Sequence, residues 1–254
     1  MTDAGAAATD ARRILGLLDL TDLGDSCTDA DVTSLCTKAV TAHGNVAAVC
    51  VWPKFVPLAV GHLVGTGVEV ATVVNFPSGD ESIDQIVSTT RKALEDGADE
   101  IDLVLPYRAF LAGDLDRVTA VLDSVRSVVA TPRRLKVILE TGELESQGEL
   151  ESQSRVADAA RLAISHGADF VKTSTGKSKV SATPDAVRTM LTVVAESDRV
   201  VGIKPSGGIR TVADATTYLS LADDAMGPAW ATSATFRFGA SGLLDALLDV
   251  LDRS

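Results

Sequence analysis

Eight short runs of Val, Ile and Leu, each bounded by Gly, Pro or charge, constrain the fold of this chain more than any other feature. They are Ile14 to Asp19, Val46 to Val51, Val68 to Val74, Glu100 to Leu105, Leu135 to Glu140, Asp169 to Lys172, Val200 to Lys204 and Thr235 to Phe238. Nearly continuous apolar runs of this length predict parallel strands covered on both faces. Most of the gaps read as helices, most clearly Asp84 to Glu95, Asp116 to Val129, Ser154 to His166 and Pro184 to Glu196. Thr183 is placed to cap the last of these, with Pro184 in the first turn, where its missing N–H costs nothing. Gly97 and Gly167 sit where two other helices should end. Eight strands alternating with helices in 254 residues predict an α/β fold, a TIM (β/α)8 barrel. It forms one domain over residues 11–254, behind a loose leader over residues 1–10. An open doubly wound sheet is the alternative, but its G-x-G-x-x-G after the first strand is missing.

Charge narrows the partners. With 23 basic and 35 acidic side chains the net charge is -12, which repels a polyphosphate backbone, so no nucleic acid partner is expected, and no anionic membrane. A small anionic substrate in a locally positive pocket remains compatible, and a homodimer is left open. No apolar stretch approaches the ~18 to 20 residues of a spanning helix, and the first ten residues lack a basic and apolar signal pattern, so a cytoplasmic protein is expected. The three cysteines, Cys27, Cys36 and Cys50, show no C-x-x-C spacing, and His43, His62 and His166 are scattered. Neither a disulfide framework nor a metal site is expected, and no cofactor.

In a barrel, groups at the C-terminal ends of strands converge on the active site. The sequence places Asp19, Cys50, Asp102, Lys136, Lys172 and Lys204 in or at the ends of six strand candidates. Lys172 in Phe170-Val-Lys-Thr-Ser-Thr-Gly-Lys177 and Lys204 in Val200-Val-Gly-Ile-Lys-Pro-Ser-Gly-Gly-Ile-Arg210 each close an apolar strand just before a glycine turn. A lysine amine with a pKa near about 10.4 is protonated and non-nucleophilic at neutral pH. If adjacent strands bring two ammonium groups to about 6 Å, repulsion at an effective dielectric of about 20 lowers one by roughly 2 units. Partial desolvation supplies the rest. A single such lysine would as readily cap a strand or snorkel at the rim. Two on neighbouring strands, with Asp102 nearby, point to an activated amine for Schiff-base chemistry.

The turns Ser206-Gly207-Gly208-Ile209-Arg210 and Phe238-Gly239-Ala240-Ser241-Gly242 lie where many barrels bind phosphate, and Thr175-Gly176-Lys177 could complete the cradle. One low-complexity feature follows the fifth strand: Gly142 to Gln147 reads GELESQ, and Gly148 to Gln153 repeats it. It is too short for an architectural repeat and reads as an exposed acidic loop or helix extension.

Several blocks carry a resemblance. Leu18-Asp-Leu-Thr21, Asn75-Phe-Pro-Ser-Gly79, Glu100-Ile-Asp-Leu-Val-Leu-Pro-Tyr-Arg108, Leu135-Lys-Val-Ile-Leu-Glu-Thr-Gly-Glu-Leu144, the Lys172 and Lys204 blocks, and Arg237-Phe-Gly-Ala-Ser241 resemble the deoxyribose-phosphate aldolases from about Ile14 to Leu251. The resemblance implies a metal-free class I aldolase that reversibly cleaves 2-deoxy-D-ribose 5-phosphate to D-glyceraldehyde 3-phosphate and acetaldehyde, in deoxyribonucleoside catabolism. It implies Lys172 as the Schiff-base lysine, Lys204 as the second lysine that lowers its pKa, and Asp102 as the acid/base. It further implies Lys136 as another active-site lysine, Asp19 and Cys50 as pocket residues, and Gly176, Lys177, Gly207, Gly208 and Ser241 as phosphate contacts. Three departures stand out. Gly242 replaces a serine of the family pattern and offers an N–H without a hydroxyl. The best-known members end in a tyrosine, whereas this sequence ends Asp252-Arg-Ser254, and the duplication stretches the Lys136 to Lys172 spacing to 36 residues. A Schiff-base barrel for another sugar phosphate or keto acid, and a non-catalytic barrel that binds a phosphorylated ligand, are the alternatives.

Overall fold

The computed structural model describes residues 3–145 and 149–254. Eight parallel strands form its centre: β1 Leu18–Asp22, β2 Ala48–Val51, β3 Glu69–Val74, β4 Glu100–Val104, β5 Arg134–Ile138, β6 Phe170–Lys172, β7 Gly202–Lys204 and β8 Phe238–Ala240. Each pairs with the next in sequence, and β8 returns to β1 with Leu18 opposite Phe238. Parallel bridges at Ile203–Phe236 and Ser206–Gly239 join β7 to β8 and close the barrel. The expected TIM barrel is the observed one.

The outer ring is helical: α1 Asp3–Leu15, α2 Asp29–Lys38, α3 Val56–Leu63, α4 Ile83–Glu95, α5 Tyr107–Leu111, α6 Leu115–Val128, α7 Thr141–Leu144, α8 Glu149–Ser165, α9 Pro184–Ala195, α10 Val212–Met226 and α11 Leu243–Leu251. Local signals set their ends. Ser82 and Gln85 cap α4 reciprocally, as Thr211 and Asp214 cap α10, so orphan N–H groups of the first turns find acceptors. Thr183 accepts from the Ala186 N–H at 3.1 Å, with Pro184 next to it, as the sequence reading expects. Gly97 (φ 101°) and Gly167 (φ 90°) follow α4 and α8 in a conformation that disfavours any side chain.

Three expectations are corrected. The first strand begins at Leu18, because Ile14 and Leu15 complete the buried face of α1. That helix also runs through the expected leader boundary at residue 10, with Ala8 and Ala11 buried and Arg13 joined to Asp223 at 2.5 and 2.6 Å. The eighth strand lies at Phe238–Ala240, since Thr235 and Phe236 turn back on Thr232. In the duplicated segment, Thr141–Leu144 is a single helical turn and Glu149–Gln153 opens α8; residues 146–148 lie outside the described residues.

The strands are covered on both faces, but not by the same chemistry. On β4, Ile101 and Leu103 pack outward toward the helices, while Glu100 and Asp102 point inward, since successive side chains alternate. The interior that many barrels fill with branched apolar layers is here occupied largely by charge.

Candidate active site

Register brings the inward charges together. Asp102 on β4 lies opposite Lys136 on β5, and Lys172 on β6 lies opposite Lys204 on β7. Lys172 Nζ donates to Asp102 Oδ2 at 2.7 Å and Lys204 Nζ donates to the same oxygen at 2.8 Å. The two amines therefore sit closer than the about 6 Å of the sequence argument. Lys136 donates to Asp102 Oδ1 at 3.1 Å, so all of the Asp102 carboxylate is engaged by lysine.

These lysines share a carboxylate but not a charge state. Burial holds the Lys172 amine below its ordinary value; Lys204 pushes the same way and Asp102 opposes. Burial also disfavours the Lys204 ammonium, but Asp102 and Asp19 outweigh it and hold that group above its ordinary value. The difference is one carboxylate, because Asp19 Oδ2 lies 2.5 Å from Lys204 and makes no such pair with Lys172. Burial alone would raise the Asp102 carboxyl, but Lys136, Lys172 and Lys204 together hold it well below the usual range. Asp19 is likewise held low against its burial, by Lys204, Arg237 and Lys136.

Beneath this cluster lies a second tier. Arg237, buried just ahead of β8, donates from Nη1 to Asp19 at 2.6 Å and from Nη2 to Glu69 at 2.6 Å and Glu100 at 3.0 Å. Arg134 reaches Glu69 at 2.6 and 2.7 Å and Glu100 at 3.1 Å, and Lys136 also binds Glu100. Four carboxylates, Asp19, Glu69, Glu100 and Asp102, thus meet five basic side chains, Arg134, Lys136, Lys172, Lys204 and Arg237. Of the three lysines, Lys172 is the one whose amine is held below its ordinary value, because carboxylates outweigh burial at Lys136 and Lys204 and do not at Lys172.

Lys172 forms the floor of a pocket of about 540 Å³ at the C-terminal mouth, lined further by Thr21, Thr175, Gly176, Lys177, Ser206, Gly207, Gly208, Arg210, Gly239, Ser241 and Gly242. Gly176, Gly207 and Gly208 have φ of 78°, 84° and 80°, so each turn requires glycine. The Gly207 N–H is spent on the Gly239 carbonyl at 3.3 Å. Ser241 and Gly242 precede α11, and Gly242 is its N-cap without a side-chain bond. Thr175 turns its hydroxyl to Glu140 at 2.5 Å, and Lys177 pairs with Asp25 at 2.9 Å across the mouth.

Seven of the twelve sequence-derived residues line this pocket: Lys172, Thr175, Gly176, Lys177, Gly207, Gly208 and Ser241; Asp102 and Lys204 lie buried directly below, joined to Lys172 through the shared Asp102 oxygen. Asp19, Cys50 and Lys136 are placed under the floor instead, each fully buried. Asp19 and Lys136 reach the cavity only through Lys204 and Asp102, and burial pushes the Cys50 thiol up. Sequence reasoning assigned nothing to Glu69, Glu100, Arg134, Glu140 or Arg237. The signal existed for Arg237, which interrupts an apolar run between Phe236 and Phe238 as Asp102 and Lys136 interrupt theirs, and a buried charge must be partnered.

Comparison with known proteins agrees with this geometry. The DeoC/LacD family aldolase pattern matches residues 7–248. A deoxyribose-phosphate aldolase from Agrobacterium fabrum is 50% identical over 238 residues, covering 93% of this chain and 90% of that protein. A crystal structure from Toxoplasma gondii ME49, provisionally named a deoxyribose-phosphate aldolase, superposes with a TM-score of 0.89 at 27% identity over 100% of this chain and 98% of the other. The tetrameric deoxyribose phosphate aldolase of Aeropyrum pernix shares the fold, with a TM-score of 0.67 at 24% identity over 98% and 96%. A pattern spanning nearly the whole chain and a relative at half identity together show that this chain belongs to the DeoC/LacD aldolase family.

Proposed function

We propose that the chain is a class I aldolase that reversibly cleaves 2-deoxy-D-ribose 5-phosphate to D-glyceraldehyde 3-phosphate and acetaldehyde, with Lys172 as the Schiff-base lysine. The observation that carries this reading is the shared Asp102 oxygen: it holds a permanent ammonium, Lys204, against an amine that burial keeps low, at the floor of a glycine-lined pocket. A barrel that only bound a phosphorylated ligand would need positive charge, but no such pairing of amine, cation and carboxylate.

The chemistry follows from the geometry. The neutral Lys172 amine attacks C1 of the open-chain aldehyde and water leaves, giving a protonated imine. The imine draws in the electron pair of the C2–C3 bond as that bond breaks. Asp102, relayed through Lys204, accepts the C3 hydroxyl proton, and glyceraldehyde 3-phosphate departs. The remaining enamine takes a proton on carbon, and hydrolysis releases acetaldehyde and the free lysine. N–H groups of Gly208, Ser241 and Gly242, with the N-terminus of α11, hold the phosphate, and that remote binding energy keeps the scissile bond over the imine. Gly242 supplies a backbone donor only, so this phosphate site relies on main chain. The setting of this reading is deoxyribonucleoside breakdown in the cytoplasm, and the three cysteines are free.

Borohydride reduction in the presence of acetaldehyde, followed by peptide mass mapping, tests it. An N-ethyl group on Lys172 alone is the expected result. Label on Lys136 or Lys204 in its place would overturn the assignment of the nucleophile, and no label anywhere would overturn the Schiff-base reading.

A further inference from the structure

Arg237 touches neither the pocket nor Lys172, yet the arrangement of the reactive pair runs back to it. Its guanidinium is 1% exposed and spans three carboxylates: Asp19 Oδ1 at 2.6 Å, Glu69 Oε2 at 2.6 Å and Glu100 Oε1 at 3.0 Å. Its plane is backed by the Phe170 ring, 5.9 Å from ring centre to guanidinium carbon. Three acceptors in different directions and an aromatic wall leave such a group one orientation, which is what a planar fork provides and a point-charge ammonium does not.

The consequence falls on Asp19. With Oδ1 tied down by Arg237, its other oxygen lies 2.5 Å from Lys204 Nζ and 3.6 Å from Lys136 Nζ, in ion pairs without hydrogen-bond alignment. Lys204 is thereby held between two carboxylates, Asp19 on β1 and Asp102 on β4. We infer that Arg237 is a positioning residue for the reaction: by fixing the Asp19 carboxylate it clamps the Lys204 ammonium against Asp102, beside the amine that reacts. The inference rests on the proposed reading of Lys172 as the nucleophile.

The groups facing Lys172 are Asp102 from β4, Lys204 from β7 and Cys50 from β2, with Asp19 and Lys136 behind them. If Asp19 is released, Lys204 loses one of its two anchors, and Asp102 is left to pair more closely with Lys172. Less cation and more carboxylate beside an amine both favour its protonated form. The neutral fraction at neutral pH then falls.

The test uses the full chain with Arg237→Lys and Arg237→Met, folding being checked by circular dichroism. Trace acetylation with acetic anhydride over a pH series, resolved by site with mass spectrometry, reads the neutral fraction of Lys172 without any substrate. Cleavage of deoxyribose 5-phosphate is followed in parallel. The expected result is a Lys172 midpoint moved alkaline by about one pH unit in both variants, a roughly tenfold loss of reactive amine at pH 7, with kcat lowered and KM nearly unchanged. Arg237→Lys keeps the buried charge, so a midpoint fully restored in that variant would show a role of charge alone and overturn positioning. An unmoved midpoint in a folded variant overturns it as well. Should Arg237→Met not fold, Arg237→Met with Glu100→Gln keeps the buried charges in balance and serves the same reading. Failure of the aldolase reading is distinct: the wild-type protein would then cleave nothing, while its acetylation profile would still report on Arg237.

Discussion

Two lysines on one carboxylate oxygen differ because of what else each can reach. Lys204 has Asp19 as a second counter-charge, while Lys172 has only Asp102 and opens to the pocket. Lys204 thus remains an ammonium and acts on Lys172 as a fixed positive neighbour. Replacing it, Lys204→Leu, removes a cation that disfavours protonation of Lys172 and leaves Asp102, which favours it. The Lys172 pKa then rises toward its free value near about 10.4, so the acid limb of the kcat/KM profile is expected to move alkaline by roughly one to two units, with about 10- to 100-fold less activity at pH 7. A pH–rate series on the folded variant checks this, and an unchanged limb would remove Lys204 from the control of the nucleophile. Lys172, Lys204 and Asp102 were legible in the sequence because a charge that closes or interrupts an apolar strand has to be partnered. The depth of Asp19 and Lys136 was not legible. Depth along a barrel depends on the stagger between strands, which no single strand encodes.

At the scale of elements, the short strands β6 and β7 pack through a missing side chain. A Cβ on Gly202 would lie 2.3 Å from the Phe170 ring, the same ring that backs the Arg237 guanidinium. Gly202→Ala is therefore expected to push the ring into the charged tier and to destabilise the protein by about 1–3 kcal/mol or more, as overpacking of a close-packed interior does. Urea unfolding would measure it; a variant as stable as the parent would mean that the ring has room to move. The end of α4 at Gly97, that of α8 at Gly167 and the Thr183 cap of α9 were readable because their chemistry is local. The first strand was misread for the opposite reason. Ile14 and Leu15 are apolar because α1 buries them, and composition cannot tell the end of a buried helix from the start of a buried strand.

Across the whole molecule, the barrel interior links stability to pH. Asp19 and Asp102 are held below the ordinary carboxylate range, so the folded protein keeps them ionised where the unfolded chain, with a pKa near about 3.9, would take up protons. The stability they contribute is complete above that value and is lost as pH falls through the folded pKa values. The melting temperature is expected to be level near neutrality and to fall steeply below about pH 4. Calorimetry across pH 3 to 7 would follow it, and a flat curve to pH 3 would mean that these carboxylates titrate in the fold as they do in the unfolded chain.

The place of Arg237 in the chain has a consequence for how the molecule comes into being. During synthesis Asp19, Glu69 and Glu100 emerge early, and their shared cation arrives with the last strand. Until that strand leaves the ribosome, a closed barrel would lack the one cation that joins all three carboxylates, leaving Asp19 to Lys204 and Glu69 and Glu100 to Arg134 and Lys136, and a buried ion that loses a partner is costly. The nascent chain therefore has reason to stay open, with its acidic side chains in water, until the final segment is present. Closure then comes in one late step, so a polypeptide cut short before residue 237 offers proteases an unfinished protein rather than a defective enzyme.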